Sequence, residues 1–150
     1  MREFRYSRLL QWSECDPAGI IFFPHYAGWM VEGVNMMFLA FGVDPTATTE
    51  TGQRGLPSTG YSMNFHSPAI LHDTLIHEIK VSKIGTKSVS FEHRFLRDEV
   101  CLADAAETRI WIEKTAAGMR SQPIPDEVRA ELESEAPLRH PLDRIERPVS

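Results

Sequence analysis

Asp16 lies in the stretch Cys15-Asp16-Pro17-Ala18-Gly19-Ile20-Ile21-Phe22-Phe23-Pro24-His25-Tyr26, a Pro/Gly turn just ahead of an apolar helix. A carboxylate in that place has two chemical uses. It can attack an electrophilic centre directly, or it can take a proton from water. The N-terminus of a helix carries free N–H groups aimed outward, and they suit a developing oxyanion. The helix dipole favours negative charge at the same end. A plainer reading makes Asp16 a turn residue that bonds its own backbone. Both readings stand on the residues alone.

Other reactive side chains are weaker candidates. Cys15 with His25 as base is a rival nucleophile, but adjacency in sequence does not make a pair, and a lone Cys is commonly a small buried hydrophobe. Among the six histidines, His66, His72 and His77 lack metal-ligand spacing, so no metal site is expected. His77 and His93 fall on the apolar faces of neighbouring strands and can meet. Lys83, Lys87 and Arg94 gather around Gly85, either as a solvated edge or as point charges for phosphate. The chain has no Gly-rich phosphate loop, dinucleotide fingerprint or Ser-His-Asp signature.

Several elements must position these groups. Pro24 suits the first helical position, where its missing N–H costs nothing. Tyr26, Trp29, Met30, Val34, Met37, Phe38 and Phe41 then follow helix spacing, and Gly42 suits the residue past the end. Val31, Met36, Leu39 and Ala40 make the other side apolar too, with Glu32 its only charge, so a buried central helix is expected. Residues 3–12 read as a first strand with Phe4, Tyr6, Leu10 and Trp12 on one face. Residues 44–55 read as a short helix and loop. Residues 61–65 read as a short or edge strand limited by Pro68. Residues 75–84, 88–96 and 100–114 are three long strands joined by tight turns, which makes them antiparallel. Residues 126–135 read as a charged helix. One domain over 1–136 is expected, with 137–150 a mobile tail.

Composition narrows the class. The chain has 150 residues, 42% hydrophobic and 25% charged, which is ordinary for one soluble domain. A net charge of −5 argues against nonspecific nucleic-acid binding. No apolar run is long enough to cross a membrane. The N-terminus lacks a signal-peptide core, and two cysteines make no disulfide framework, so a cytoplasmic setting is expected.

The Asp16–Tyr26 stretch resembles the hotdog-fold acyl-CoA thioesterases of the 4-hydroxybenzoyl-CoA thioesterase family. Pro68 with Asp73, the turn Lys83-Ile84-Gly85-Thr86-Lys87-Ser88, and Pro123-Ile124-Pro125-Asp126-Glu127-Val128 match in the same order, over roughly residues 4–135. His25 departs from the pattern, where many relatives have Asn. Gly85 and Thr86 stand where some relatives carry arginines.

The resemblance implies an α+β hotdog fold, a five-stranded antiparallel sheet wrapped around the long helix. It implies hydrolysis of an acyl-CoA, with an aromatic acyl group such as hydroxybenzoyl favoured by the aromatic residues around Asp16. Asp16 is then nucleophile or general base, and the Phe23 backbone N–H polarises the thioester carbonyl. Gly19 allows the tight turn. Tyr26, His66, Lys83 and Lys87 are implied substrate contacts, the lysines meeting coenzyme A phosphates. No cofactor is needed, since coenzyme A belongs to the substrate. A homodimer or homotetramer is implied, with sites shared between subunits. Two other readings are a non-catalytic acyl-CoA or acyl-carrier binding module, and a dehydratase on the same fold.

Overall fold

The computed structural model describes residues 1–46, 48–49 and 52–144. Its elements in chain order are β1 (Glu3–Leu9), α1 (Pro24–Ala40), β2 (Thr48–Thr49), β3 (Gly52–Gly55), β4 (Ser58–Phe65), β5 (Thr74–Ile84), β6 (Ser88–Arg97), β7 (Val100–Ile110), β8 (Ile112–Thr115), β9 (Gly118–Ser121) and α2 (Asp126–Glu133). Five strands form the main antiparallel sheet in the order β1-β5-β6-β7-β4. With α1 packed on one face, this is the expected hotdog arrangement. β4, the strand limited by Pro68, is an edge strand.

The inward face follows the strand period of two. Phe4 and Tyr6 of β1, Leu75, His77, Ile79 and Val81 of β5, Val89, Phe91, His93 and Phe95 of β6, and Ala103, Ala105, Glu107 and Arg109 of β7 are all buried. α1 answers with Tyr26, Trp29, Met30, Gly33, Val34, Met37, Phe38 and Ala40. Each large apolar side chain so buried contributes about 1.5–3 kcal/mol.

The core has two apolar halves, one around Phe38, Phe91 and Trp111, the other around Trp29, Leu75 and Phe95. A polar seam crosses between them. Tyr6 Oη lies 2.9 Å from His77 Nδ1, His77 Nε2 lies 2.9 Å from His93 Nδ1, and His93 Nε2 lies 2.9 Å from Glu107 Oε1. Arg109 Nε closes the row on Glu107 Oε2 at 3.0 Å. One proton assignment satisfies the row with both imidazoles neutral: each Nε2–H and the Tyr6 hydroxyl donate toward Glu107. The expected meeting of His77 and His93 therefore takes place inside the core. α1 reaches the seam because Gly33 has no side chain. A Cβ there would sit 2.7 Å from His77 Cε1.

Several expectations need correction. β1 stops at Leu9, and Trp12, expected on its buried face, is 80% exposed in a 3-10 turn over Trp12–Glu14. Glu14 starts that turn by accepting the Gln11 N–H at 2.9 Å. The helix expected in 44–55 is absent among the described residues. β2 and β3 lie there instead, in a second sheet of order β2-β3-β8-β9. The strand expected over 100–114 is broken at Trp111, whose N–H donates to Lys87 and whose carbonyl accepts from Gln122. Those bonds carry the chain from one sheet to the next. The outer side of α1 is open within one chain, with Val31 58% and Leu39 43% exposed.

Beyond α2, Leu138 packs against the core and the His140 ring stacks on Phe4. Positions 145–150, the rest of the expected tail, lie outside the described residues. Among the described residues, no helix is long and apolar enough to cross a membrane.

Candidate active site

The loop that carries Asp16 is held at both ends. Cys15 bridges Ile21, Ile20 bridges Ile70, and the Leu71 N–H donates to Gly19 O at 2.9 Å. Gly19 sits at φ +78°, a region costly for other residues, and its N–H closes the turn on Asp16 O at 3.0 Å. Glu14, which no sequence motif singles out, anchors the entry. Its carbonyl accepts the Phe22 N–H at 2.9 Å, and its carboxylate accepts the Trp29 indole N–H at 2.6 Å.

α1 starts without a side-chain cap, since Phe23 occupies the cap position and Pro24 follows. The His25 N–H bonds Phe22 O and the Tyr26 N–H bonds Phe23 O. The Phe23 N–H donates to no described residue. Among the described residues, it is thus the donor left open at this helix start.

Asp16 and Phe23 line one cleft of roughly 370 Å³, together with Phe22, Tyr26, Phe65 and His66. The walls are aromatic: the Phe23 and Tyr26 rings each lie 5.9 Å from Phe65. Asp16 Oδ1 accepts the Ala18 N–H at 2.8 Å, as the turn reading expects, yet the residue still faces the cleft. The Tyr26 hydroxyl is buried without a partner among the described residues. Burial pushes it up to about 12. Its ring, and not its hydroxyl, is what a ligand in the cleft meets.

His66, just past the end of β4, lies against Asp104. Its Nε2 pairs with Asp104 Oδ2, and Asn64 Nδ2 donates to the other oxygen at 3.0 Å. The Asn64 and His66 hydrogen bonds hold the Asp104 carboxyl below its ordinary range. Cys101 joins them: donor atoms of His66, Cys101 and Asp104 lie within 4.8 Å of one another. Residues 101 and 104 would face opposite sides of a regular strand. A bulge at Leu102 resets the alternation, since Phe95 pairs with Ala103 and Leu96 with Cys101. No spacing rule could have found this cluster, because a bulge and a second strand create it.

The remaining candidates lie elsewhere. Cys15 Sγ bonds Gln11 O at 3.6 Å, and no bond joins it to His25 among the described residues. Desolvation and the nearby Asp16 and Glu14 carboxylates push its thiol upward, away from the thiolate. Lys83 and Lys87 flank the β5–β6 turn. The Asp16 loop meets the other end of β5, and 11 residues at about 3.3 Å separate the two ends by roughly 33 Å. Lys87 Nζ lies 3.5 Å from Ser121 O. One chain brings Asp16, Phe23, Tyr26 and His66 together and leaves both lysines apart. Arg94 pairs with Glu78 in mid-sheet.

A family model, the thioesterase-like superfamily, matches residues 10–132. The chain belongs to that family. This thioesterase is 26% identical over 131 residues to the 4-hydroxybenzoyl-CoA thioesterase of Pseudomonas sp. (strain CBS-3), covering 83% of this chain and 93% of that one. It is 24% identical over 131 residues to the 1,4-dihydroxy-2-naphthoyl-CoA hydrolase of Nostoc punctiforme, covering 87% of each. A solved structure of a 4-hydroxybenzoyl-CoA thioesterase variant with 4-hydroxybenzoyl-CoA matches this thioesterase with a TM-score of 0.79. That match has 20% identity and covers 89% of this chain and 100% of the other. It shares the hotdog fold.

Proposed function

We propose that this thioesterase hydrolyses an aromatic acyl-CoA to the free acid and coenzyme A. The reading is supported by one observation: Asp16 and Phe23, whose N–H has no partner among the described residues, line the same aromatic-walled cleft. The Asp16 carboxylate attacks the thioester carbonyl or activates water against it. The Phe23 N–H receives the negative charge that develops on the carbonyl oxygen. Gly19 keeps the turn tight, and the Phe65 and Tyr26 rings flank the acyl group. The aromatic substrates named for the two relatives support the same choice of acyl group.

Coenzyme A phosphates are met by Lys83 and Lys87 of a second copy, since one chain holds them far from Asp16. The assembly is a homodimer or homotetramer in the cytoplasm, joined through edge β4 and the open side of α1. A second reading, a binding module without turnover, is favoured by the Asp16–Ala18 bond, which gives the carboxylate a purely structural use.

Steady-state hydrolysis of benzoyl-, hydroxybenzoyl-, naphthoyl- and alkanoyl-CoA by wild type and Asp16→Asn separates these readings. Aromatic substrates are turned over fastest, and Asp16→Asn loses roughly 10³-fold in kcat. Wild-type rates in the variant end the catalytic assignment. Binding without turnover of any thioester selects the binding module.

A further inference from the structure

We propose that His66, held by Asp104, is the base that activates water in this cleft. The inference rests on the proposed attack of Asp16 on the thioester, and it assigns the second half of that reaction. Asp16 forms a C–O bond to the acyl carbon, the C–S bond breaks, and coenzyme A leaves as thiolate. Asp16 is then esterified as a mixed anhydride and has no carboxylate left to take a proton. Water must now attack the acyl carbon, lose a proton and break the C–O bond to Asp16.

Among the described residues, three titratable side chains line the cleft: Asp16, Tyr26 and His66. The first is acylated at this stage. The Tyr26 hydroxyl is sealed from the cleft. His66 remains, on the wall and 47% exposed on its side chain. Its Nε2 is committed to Asp104, and its Nδ1 has no partner among the described residues. With Asp104 as a carboxylate, Nε2 carries the hydrogen and Nδ1 presents a lone pair. Asn64 fixes the carboxylate in turn. Asp104 is therefore a positioning residue and His66 the proton acceptor.

The balance closes. Water gives its oxygen to the acyl carbon and its proton to Nδ1, Asp16 is restored as carboxylate, and the imidazolium returns the proton to the coenzyme A thiolate. A metal ion at His66, Cys101 and Asp104 would need to displace the His66–Asp104 and Asn64–Asp104 bonds that already use the carboxylate.

The test uses the full chain and the best aromatic acyl-CoA from the substrate panel. His66→Gln lowers kcat about 10²-fold. It releases one equivalent of coenzyme A per site in a burst, and intact mass then shows the protein heavier by one acyl group. Asp16→Asn shows neither burst nor adduct. The acid limb of the wild-type kcat profile is absent from His66→Gln, and Asp104→Asn lowers kcat while leaving KM unchanged. Wild-type kcat and pH profile in His66→Gln overturn the proposal while leaving Asp16 in place. Wild-type rates in Asp16→Asn remove the parent reading instead. Zinc-dependent activity lost in Cys101→Ser would overturn it in favour of a metal site. Hydration of crotonyl-CoA that depends on His66 would overturn it in favour of a dehydratase.

Discussion

The Trp29 indole N–H donates to the Glu14 carboxylate at 2.6 Å, tying the second turn of α1 to the loop that leads into Asp16. Arg8 completes the joint. Its guanidinium lies 4.4 Å over the Trp29 ring and 3.4 Å from the same carboxylate. Glu14→Ala leaves a buried indole N–H unpaired and frees the loop, so a stability loss of about 1–3 kcal/mol is expected, with a fall in kcat. Urea denaturation and steady-state kinetics measure both. An unchanged urea midpoint would refute the joint.

The His77–His93 seam makes stability depend on pH in a defined direction. Burial, with His93 beside it, holds His77 neutral well below the ordinary imidazole range. The unfolded chain binds a proton there near pH 6.5, and the folded chain does not. Stability is therefore fully present above about pH 6.5 and falls as pH drops toward the lowered folded value, on the order of 1 kcal/mol per pH unit. Burial alone would raise Glu107, but hydrogen bonds from His93 and Arg109 outweigh it and hold the carboxyl low, so its contribution is lost only in stronger acid. Thermal melts between pH 8 and pH 5 report the imidazole effect. A flat midpoint over that range contradicts it.

Gly33→Ala tests how closely α1 packs. Ala is the better helix former by about 1 kcal/mol. Its Cβ would nevertheless meet Ile79 Cδ1 at 2.6 Å and His77 Cε1 at 2.7 Å. Ile79 can turn aside, but the His77 ring is held by Tyr6 and His93. The expected outcome is a net loss of about 1–3 kcal/mol in chemical denaturation, and a gain would show that the seam yields.

Tyr26→Phe should keep or raise stability, by up to about 1 kcal/mol. The hydroxyl is buried without a partner among the described residues, so removing it removes an unmet polar group. The ring contacts with Phe95 at 4.7 Å and Trp29 at 5.4 Å remain. A clear drop in melting temperature would mean that bound water satisfies the hydroxyl.

The helix from Pro24, the three long strands and the Asp16 turn were legible because their causes are local. Pro at a helix start, glycine at a positive φ and apolar residues at fixed periods act through near neighbours. Trp12 and residues 44–55 were misread because a Gln11–Glu14 turn and a second sheet outweigh alternation. The break at Trp111 was invisible for the same reason, since its partners Lys87 and Gln122 come from other parts of the chain.

The sequence by itself determined that a carboxylate would precede a proline-led helix start, because both lie within one short stretch. Only the tertiary structure decided that His66 meets Asp104 at the same cleft, that two histidines sit inside the core, and that Lys83 and Lys87 stand at the far end of β5. Those relations join residues distant in sequence through strand pairing and a bulge, and side-chain period carries no information about which strands become neighbours.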